Sequence, residues 1–380
     1  MSLDFIEKEL FELRQKDLYR DFRTIEDYQG RTVSVHGKDL LCFCSNNYLD
    51  LASDPRIIDA AINAAREYGI GAAASRLISG NMYLHNKLEA ALAEFKRVEK
   101  SIVFPTGYMA NVGTISALVG PDDAVIIDRL NHASIVDGAK LSGAKLIVYK
   151  HCEMESLRNA LEHAKTYRRK LVVTDSVFSM DGDLAPLSDI INLARTYDAM
   201  TMVDEAHAIG VFGATGRGVI EHLGLEGHVD VVMGTLSKAI GCIGGYVCGS
   251  KHLIDYIRNR ARSFIYTTAI PPAMCAAAMK ALEIIDTEPE RRDGLWRNVS
   301  YFRSNIDEEK YNLMNSSSQI IPVMLGDVSL TLDKSRRLYK EGFLISAIRP
   351  PTVPKGKSRL RISLMSSHTQ EDIDALLSAL

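Results

Sequence analysis

Apolar residues recur along this chain with two different periods. Near the start, Leu3, Phe5, Ile6, Leu10, Leu13 and Leu18 lie on a rough helical stripe. This predicts a helix through residues 1–28, ended by Gln29-Gly30. RTVSVHGKDLLCFC (31–44) alternates instead, with His36-Gly37-Lys38 as turn chemistry, and reads as a hairpin. From about residue 55 helical and strand-like segments take turns. IIDAAINAAREYG, LHNKLEAALAEF, GYMANVGTISALVG, SIVDGAKLSG, MESLRNALEHAKTYR and PLSDIINLARTY read as helices. DAVIID, KLIVY, KLVVTD, AMTMVDE, VDVVMGT and GGYVCG read as strands. Strands with continuous rather than alternating apolar residues are buried on both faces, so a mostly parallel sheet covered by helices is expected.

A long helix containing MCAAAMKALEII leads into the charged segment TEPERRDG, which reads as a boundary. Beyond it a helix, IIPVML, LDKSRRLYKEG, FLISAI, RLRISL and a terminal helix predict a small α+β domain. The pattern thus divides the chain into an N-terminal helix and hairpin (1–45), a large α/β domain (46–284) and a small C-terminal α+β domain (285–380).

Composition narrows the possible functions. With 380 residues, 46% hydrophobic and 24% charged, the chain can bury a large core and is not disordered. Forty-five Lys+Arg against 48 Asp+Glu give a net charge of -3, so nothing favours nucleic acid or an anionic membrane. No apolar run approaches the ~18 residues of a membrane span. The acidic, amphipathic first segment resembles neither a secretory signal nor a mitochondrial presequence, and a cytoplasmic location is expected. Six scattered cysteines without a C-x-x-C pair read as reduced thiols, and no metal site is expected.

Candidate chemistry gathers at the carboxyl ends of the predicted strands, where open α/β sheets bind ligands. VIID is followed by Arg129 and His132. KLVVT leads to Asp175, with Ser179 after it. TMV leads to Asp204 and His207, and VVMG leads to Thr235 and Lys238. Four such clusters in consecutive α/β units point to one shared site. Lys238, in GTLSKAIGCIGGY, has small apolar sequence neighbours. Desolvation there would favour a nucleophilic amine, although a surface lysine in a glycine-rich turn has the same appearance. Asp204 could pair with a protonated ring nitrogen or simply cap a helix. Thr106-Gly107-Tyr108 opens a helix whose free N–H groups suit a phosphate. His132 could lie against an aromatic ring or be a hydrogen-bonded structural histidine. Arg359 and Arg361 in RLRISL share one strand face. Either could bind a carboxylate bidentately, or both could be solvent-facing charges on an edge strand.

At these residues the sequence resembles the pyridoxal-phosphate-dependent α-oxoamine synthases of the fold-type I, aspartate aminotransferase-like superfamily. The likeness runs through SNNYLDL, SRLISGNMYLHNKLE, PTGYMAN, DRLNHASIVDG, TDSVFSMDGD, VDEAHAIGVFG, GTLSKAIG and RPPTVPKGKSRLRISL. It implies the α/β fold already read, and an acyltransferase that uses pyridoxal 5'-phosphate (PLP). The resemblance makes Lys238 the lysine that bonds the cofactor, Asp204 the partner of its ring nitrogen and His132 the residue stacked on the ring. It places His207 and Ser179 near the ring hydroxyl, and Gly107, Tyr108 and Thr235 on the cofactor. Thr267 or Thr268 would reach the phosphate from the partner subunit of a homodimer. Asn46 and Arg361 would hold the amino-acid carboxylate, and Arg20, with Arg23 close by, and Thr352 the acyl substrate. IRPPTVPKGKSRLR and IYTTAIPP resemble the biotin-pathway branch, which implies L-alanine and a pimeloyl thioester of coenzyme A or acyl carrier protein. DRLNHASI occurs also in a branch that acetylates glycine, and GTLSKAIG is shared among branches, so glycine acetylation or another α-oxoamine synthase activity is the alternative. Some relatives are non-catalytic partner subunits lacking the lysine, and Lys238, Asp204 and His132 set this chain apart from them.

Overall fold

The computed structural model describes residues 3–380. The chain divides into two compact units. One comprises the residues up to Ser45, with 180–182 and 294–380; the other comprises 46–179 and 183–293.

The first unit opens with helix α1 (Asp4–Gln15), well short of the helix expected through residue 28. Asp17 adopts φ 55°, its N–H bonds Arg14 O (3.2 Å), and the N–H of Leu18 reaches back to Leu13 O (2.8 Å). That is the double bond of a Schellman C-cap, with aspartate where glycine is usual. Strands β1 (Thr32–Val35) and β2 (Lys38–Cys42) form the expected hairpin. Its register pairs Val35 with Lys38, so His36 and Gly37, at φ 53° and 68°, make a two-residue turn of the primed kind.

The second unit carries helices α2 (Pro55–Tyr68) and α3 (Tyr83–Phe95), strand β3 (Lys100–Phe104), α4 (Gly107–Leu118) and β4 (Ala124–Asp128). It continues with α5 (Ala133–Ser142), β5 (Lys145–Tyr149), α6 (Met154–His163), β6 (Lys170–Asp175), α7 (Leu187–Thr196), β7 (Met200–Asp204) and α8 (Val219–His222). Next come β8 (Val231–Thr235), β9 (Gly245–Gly249), α9 (Lys251–Arg260), α10 (Arg262–Ile265) and α11 (Pro272–Thr287). Seven strands form one sheet in the order β3-β9-β8-β7-β6-β4-β5. Only β9 runs against the others. Its apolar strand residues pack with α4 and α5 into a continuous core that includes Ile102, Phe104, Ile115, Val125, Ile127, Ile135, Val173 and Met202. The fold class is therefore the expected one. β3 was not foreseen, because KSIVF follows directly on α3.

TEPERRDG (287–294) is mostly helix. Only Glu288 interrupts the helices; Pro289 then starts α12 (Pro289–Asn305), a position that proline suits. The division between the units falls at 293/294, inside α12 and within TEPERRDG, a few residues beyond 285. The rest of the first unit contains β10 (Ile320–Gly326), α13 (Val328–Lys340), β11 (Phe343–Leu344), β12 (Ser346–Ile348), β13 (Ser358–Ser363) and α14 (Gln370–Ala379). FLISAI is two strands. Phe343–Leu344 pair parallel with β2, while Ser346–Ile348 pair antiparallel with β13. The first pairing joins the N-terminal hairpin to the C-terminal elements, so 1–45 is not a separate segment. No helix among the described residues is long and apolar enough to cross a membrane.

Candidate active site

The polar residues at the ends of β4, β6, β7 and β8 do converge. Together with the N-terminus of α4 they line a cavity of about 210 Å³. Its walls include Thr106, Gly107, Tyr108, Asn111, His132, Asp175, Asp204, His207, Thr235 and Lys238. A larger cavity, about 530 Å³, lies elsewhere in the same unit and is lined partly by Met200 and Val231 at the starting ends of β7 and β8. Its charges largely pair with one another, as in Arg97–Glu226 and Arg217–Glu221, so size does not identify the chemical site.

Lys238 Nζ lies 2.8 Å from His207 Nε2. His207 Nδ1 lies 2.7 Å from the hydroxyl of Tyr48, which donates to Asn46 Oδ1 at 3.0 Å. The amine thus ends a continuous hydrogen-bonded chain Asn46–Tyr48–His207–Lys238. Its sequence neighbours are small and apolar, but its spatial neighbours are polar. Asp204 is buried, and both its oxygens are held: Oδ1 accepts from Ala206 N (2.8 Å) and Oδ2 from Asn111 Nδ2 (2.8 Å).

Asn111 also donates to Ser134 Oγ at 2.9 Å, and Ser134 Oγ is 2.7 Å from His132 Nδ1. His132 caps α5, and its Nδ1 accepts from Ser134 N at 3.3 Å. Nδ1 is therefore an acceptor, which leaves the ring proton on Nε2. Burial depresses the pKa of His132, with the nearby Lys238 charge acting in the same direction and Asp204 opposing, so the neutral ring is favoured. Asp175 sits in register with Asp204 on the adjacent strand. Burial, reinforced by Asp204, raises its pKa to about 7.

A phosphate would fit at the head of α4. Thr106 is the N-cap and accepts from Met109 N at 3.1 Å, so the N–H groups of Gly107 and Tyr108 begin the helix at its positive end. Thr235 Oγ1 and Ser237 Oγ lie 2.8 Å apart beside it. A Cβ on Gly107 would come to 3.1 Å from Met233, and one on Gly245 to 2.6 Å from both Gly107 Cα and Thr106 O. The strand end and helix start meet only because both positions are glycine. The buried Asn111 Oδ1 has no hydrogen-bond partner. An amine, a buried carboxylate and a phosphate-sized nest in one cavity suit a group with an aldehyde, a basic ring nitrogen and a phosphate.

Not every expected residue lines this cavity. Ser179 lies beyond β6, and neither it nor Thr267 and Thr268 is among the lining residues. Thr268 is exposed and its backbone bridges Ser75. In the other unit, Arg20 donates to Thr352 Oγ1 at 3.2 Å, so two residues expected on the acyl substrate do meet. Arg349 donates to Asp17 O and Tyr19 O, tying down that segment, whereas Arg23 stacks over Tyr339.

Arg359 and Arg361 are not solvent-facing edge charges. β13 is the central strand of β10-β13-β12 and both side chains are buried. Arg359 is committed to Asp181 at 2.8 Å, and Arg361 donates to Ser363 Oγ at 2.9 Å. Tyr48, Asn111, Asn131 and Ser134 were missed as site residues. Asn111 left one signal, a polar side chain within an apolar helix.

Comparison with known proteins follows this geometry. Residues 38–380 match the family model described as aminotransferase class I and II, and the chain belongs to that family. Among its relatives, a putative 8-amino-7-oxononanoate synthase of Acetivibrio thermocellus is 50% identical over 98% of this chain and 95% of its own length. The 8-amino-7-oxononanoate synthase of Thermosipho melanesiensis is 46% identical over 97% and 95%. A serine palmitoyltransferase from S. paucimobilis, solved with a PLP–myriocin adduct, superposes with a TM-score of 0.94 at 33% identity, covering 100% of this chain and 97% of that one. An 8-amino-7-oxononanoate synthase from Francisella tularensis superposes at 0.77 with 29% identity, over 90% and 96%.

Proposed function

We propose that the protein is an 8-amino-7-oxononanoate synthase. It binds PLP and condenses L-alanine with a pimeloyl thioester, releasing the thiol carrier and CO2. The observation that carries this reading is the full-length identity of 42–50% to relatives of that name, alongside a cavity in which Lys238 and Asp204 face one ligand. The higher superposition score of the palmitoyltransferase does not compete with it. Fold is shared across substrates, and substrate choice lies in side chains.

Bound PLP supplies an electron sink for negative charge at the amino acid's α-carbon. The chain's own residues do the rest. Lys238 is the base that takes the α-proton, and His207 orients its amine. Asp204, held by Asn111 and Ala206 N, keeps the facing ring nitrogen protonated. His132 would stack on the cofactor ring, and its Nε2–H would be placed to donate to the acyl oxygen. Gly107, Tyr108, Thr235 and His207 would hold the cofactor, with Thr267 or Thr268 reaching it from a second copy, while Ser179, which does not line the cavity, would act only from its rim. Asn46 and Arg361 take the alanine carboxylate; Arg20 and Thr352 take the acyl chain. A homodimer accords with the exposed Ile70, Leu77, Ile78 and Tyr266, which flank the Ser75–Thr268 bridge.

Thiol release tests the reading. Alanine, glycine and serine are each offered pimeloyl, acetyl, succinyl and palmitoyl thioesters. Only alanine with pimeloyl thioester should turn over efficiently. Preference for glycine with acetyl, or serine with palmitoyl, would reassign the enzyme.

A further inference from the structure

Asp175 is the one carboxylate lining the cavity, besides Asp204, and the reaction as described gives it no task. It is buried, and its two oxygens differ. Oδ2 accepts from Asn131 Nδ2 at 2.7 Å and from the backbone N–H of His132 at 3.0 Å. Oδ1 takes no hydrogen bond among the described residues.

The bonds around Asp175 form a chain that begins and ends on neighbouring aspartates. Asp204 Oδ2 accepts from Asn111, Asn111 donates to Ser134 Oγ, and Ser134 Oγ meets His132 Nδ1. The N–H of His132 returns to Asp175, and Asp175 pairs in register with Asp204 across β6 and β7. Ser134 therefore fixes the His132 ring, and Asp175 fixes the backbone that carries it. In-register neighbours on parallel strands point the same way, which sets two carboxylates side by side.

We propose that Asp175 is a further positioning residue of this reaction, setting the height of the His132 ring and placing a second negative charge beside Asp204 that helps keep the bound cofactor protonated. The charged and titratable groups facing it are Asp204 on β7, Lys238 after β8 and His132 before α5, with neutral Asn131 completing the shell. Asp204 raises the Asp175 pKa, while Asn131, the His132 N–H and Lys238 lower it, so burial and Asp204 prevail.

The inference rests on the PLP reading, and the experiment separates the two. Wild-type holoenzyme with no visible cofactor band would sink the PLP reading, and the Asp175 inference with it. If the band is present, Asp175 alone is under test. The visible band is titrated from pH 5.5 to 9 in wild type, Asp175→Asn, Asp175→Ala and Asn131→Ala. Removing the carboxylate should move the cofactor's spectral transition about one pH unit lower, because a neighbouring negative charge favours protonated forms. Asn131→Ala, which strips one bond from Oδ2 and so favours protonated Asp175, should move it the same way by less. Asp175→Asn keeps an acceptor for His132 N, so kcat should fall roughly tenfold with little change in the alanine KM. Asp175→Ala should lower kcat about a hundredfold, as for a catalytic group misplaced by about 1 Å. A folded Asp175→Asn with the wild-type spectral transition overturns the proposal. So does a loss of kcat that follows a lowered melting temperature while the transition stays in place, which would make Asp175 structural. If Asp175→Ala does not fold, Asn131→Ala decides: no spectral shift there overturns the proposal as well.

Discussion

Lys238 illustrates how far one residue can be read from its neighbours in sequence. GTLSKAIG made it a candidate, but the Asn46–Tyr48–His207 chain that orients its amine comes from three separate segments. Lys238→Ala should abolish turnover and leave PLP removable by gel filtration, with no lysine adduct after borohydride. A reducible lysine adduct in that variant would move the assignment to another amine. The two arginines of β13 give a sharper contrast. Both were candidates for the carboxylate from their shared face. Arg359 is engaged by Asp181 with both side chains buried, and that pairing is long-range and left no trace in RLRISL. Arg361→Lys should raise the alanine KM well above its effect on the thioester, since an ammonium cannot reproduce two parallel guanidinium bonds. Arg359→Ala should act on stability instead. Leaving Asp181 buried and unpaired costs about 3–5 kcal/mol, readable as a lowered urea midpoint. If Arg359→Ala folds normally but loses alanine affinity, the two roles are reversed.

At the scale of elements, most helices and strands of the α/β unit were legible because each is long, apolar and bounded by glycine or polar residues. The misreadings had local causes. α1 ends at Gln15 through an aspartate in the left-handed conformation, where a glycine would have marked the stop. TEPERRDG, within which the units divide, is helix rather than turn, since Glu and Arg are good helix formers and Pro289 suits a first turn. FLISAI could not be divided by pattern, since its halves join different sheets. The site's elements were legible at their ends, whereas the contact between β9 and α4 was not. Gly245→Ala tests that contact. Its Cβ would meet Gly107 Cα and Thr106 O at 2.6 Å, so the head of α4 must shift. PLP affinity should fall at least tenfold, with the melting temperature a few degrees lower, since overpacking typically costs about 1–3 kcal/mol. Unchanged PLP affinity, measured by fluorescence quenching, would place the phosphate elsewhere.

At the scale of the whole molecule, two histidines outside the cavity, His151 half-buried and His368 buried, bias stability in opposite directions with pH. His151 is clamped between Asp128 (2.9 Å) and Asp183 (2.7 Å). Burial lowers its pKa, but bonds to both carboxylates outweigh this and raise it to about 12. The stabilisation it provides is complete below the ordinary histidine range, near 6.5, and declines as pH climbs toward 12. His368 behaves the other way. It is stacked on Phe43 with ring centroids 4.2 Å apart, its Nδ1 accepts from Met365 N, and its Nε2 meets Cys42 O. Burial lowers its pKa to about 4, from the ordinary histidine value near 6.5, the Cys42 carbonyl opposing. The folded state therefore excludes a proton that the unfolded chain accepts below 6.5. Stability tied to His368 is present above that pH and lost as pH falls from 6.5 to 4, about 3 kcal/mol in all. Urea unfolding at pH 7.5, 6, 5 and 4.5 should show the wild type weakening steadily over this range. His368→Gln cannot take up that proton, so its stability should start lower at pH 7.5 and fall less steeply. Equal slopes for the two proteins would assign the acid sensitivity to the carboxylates instead.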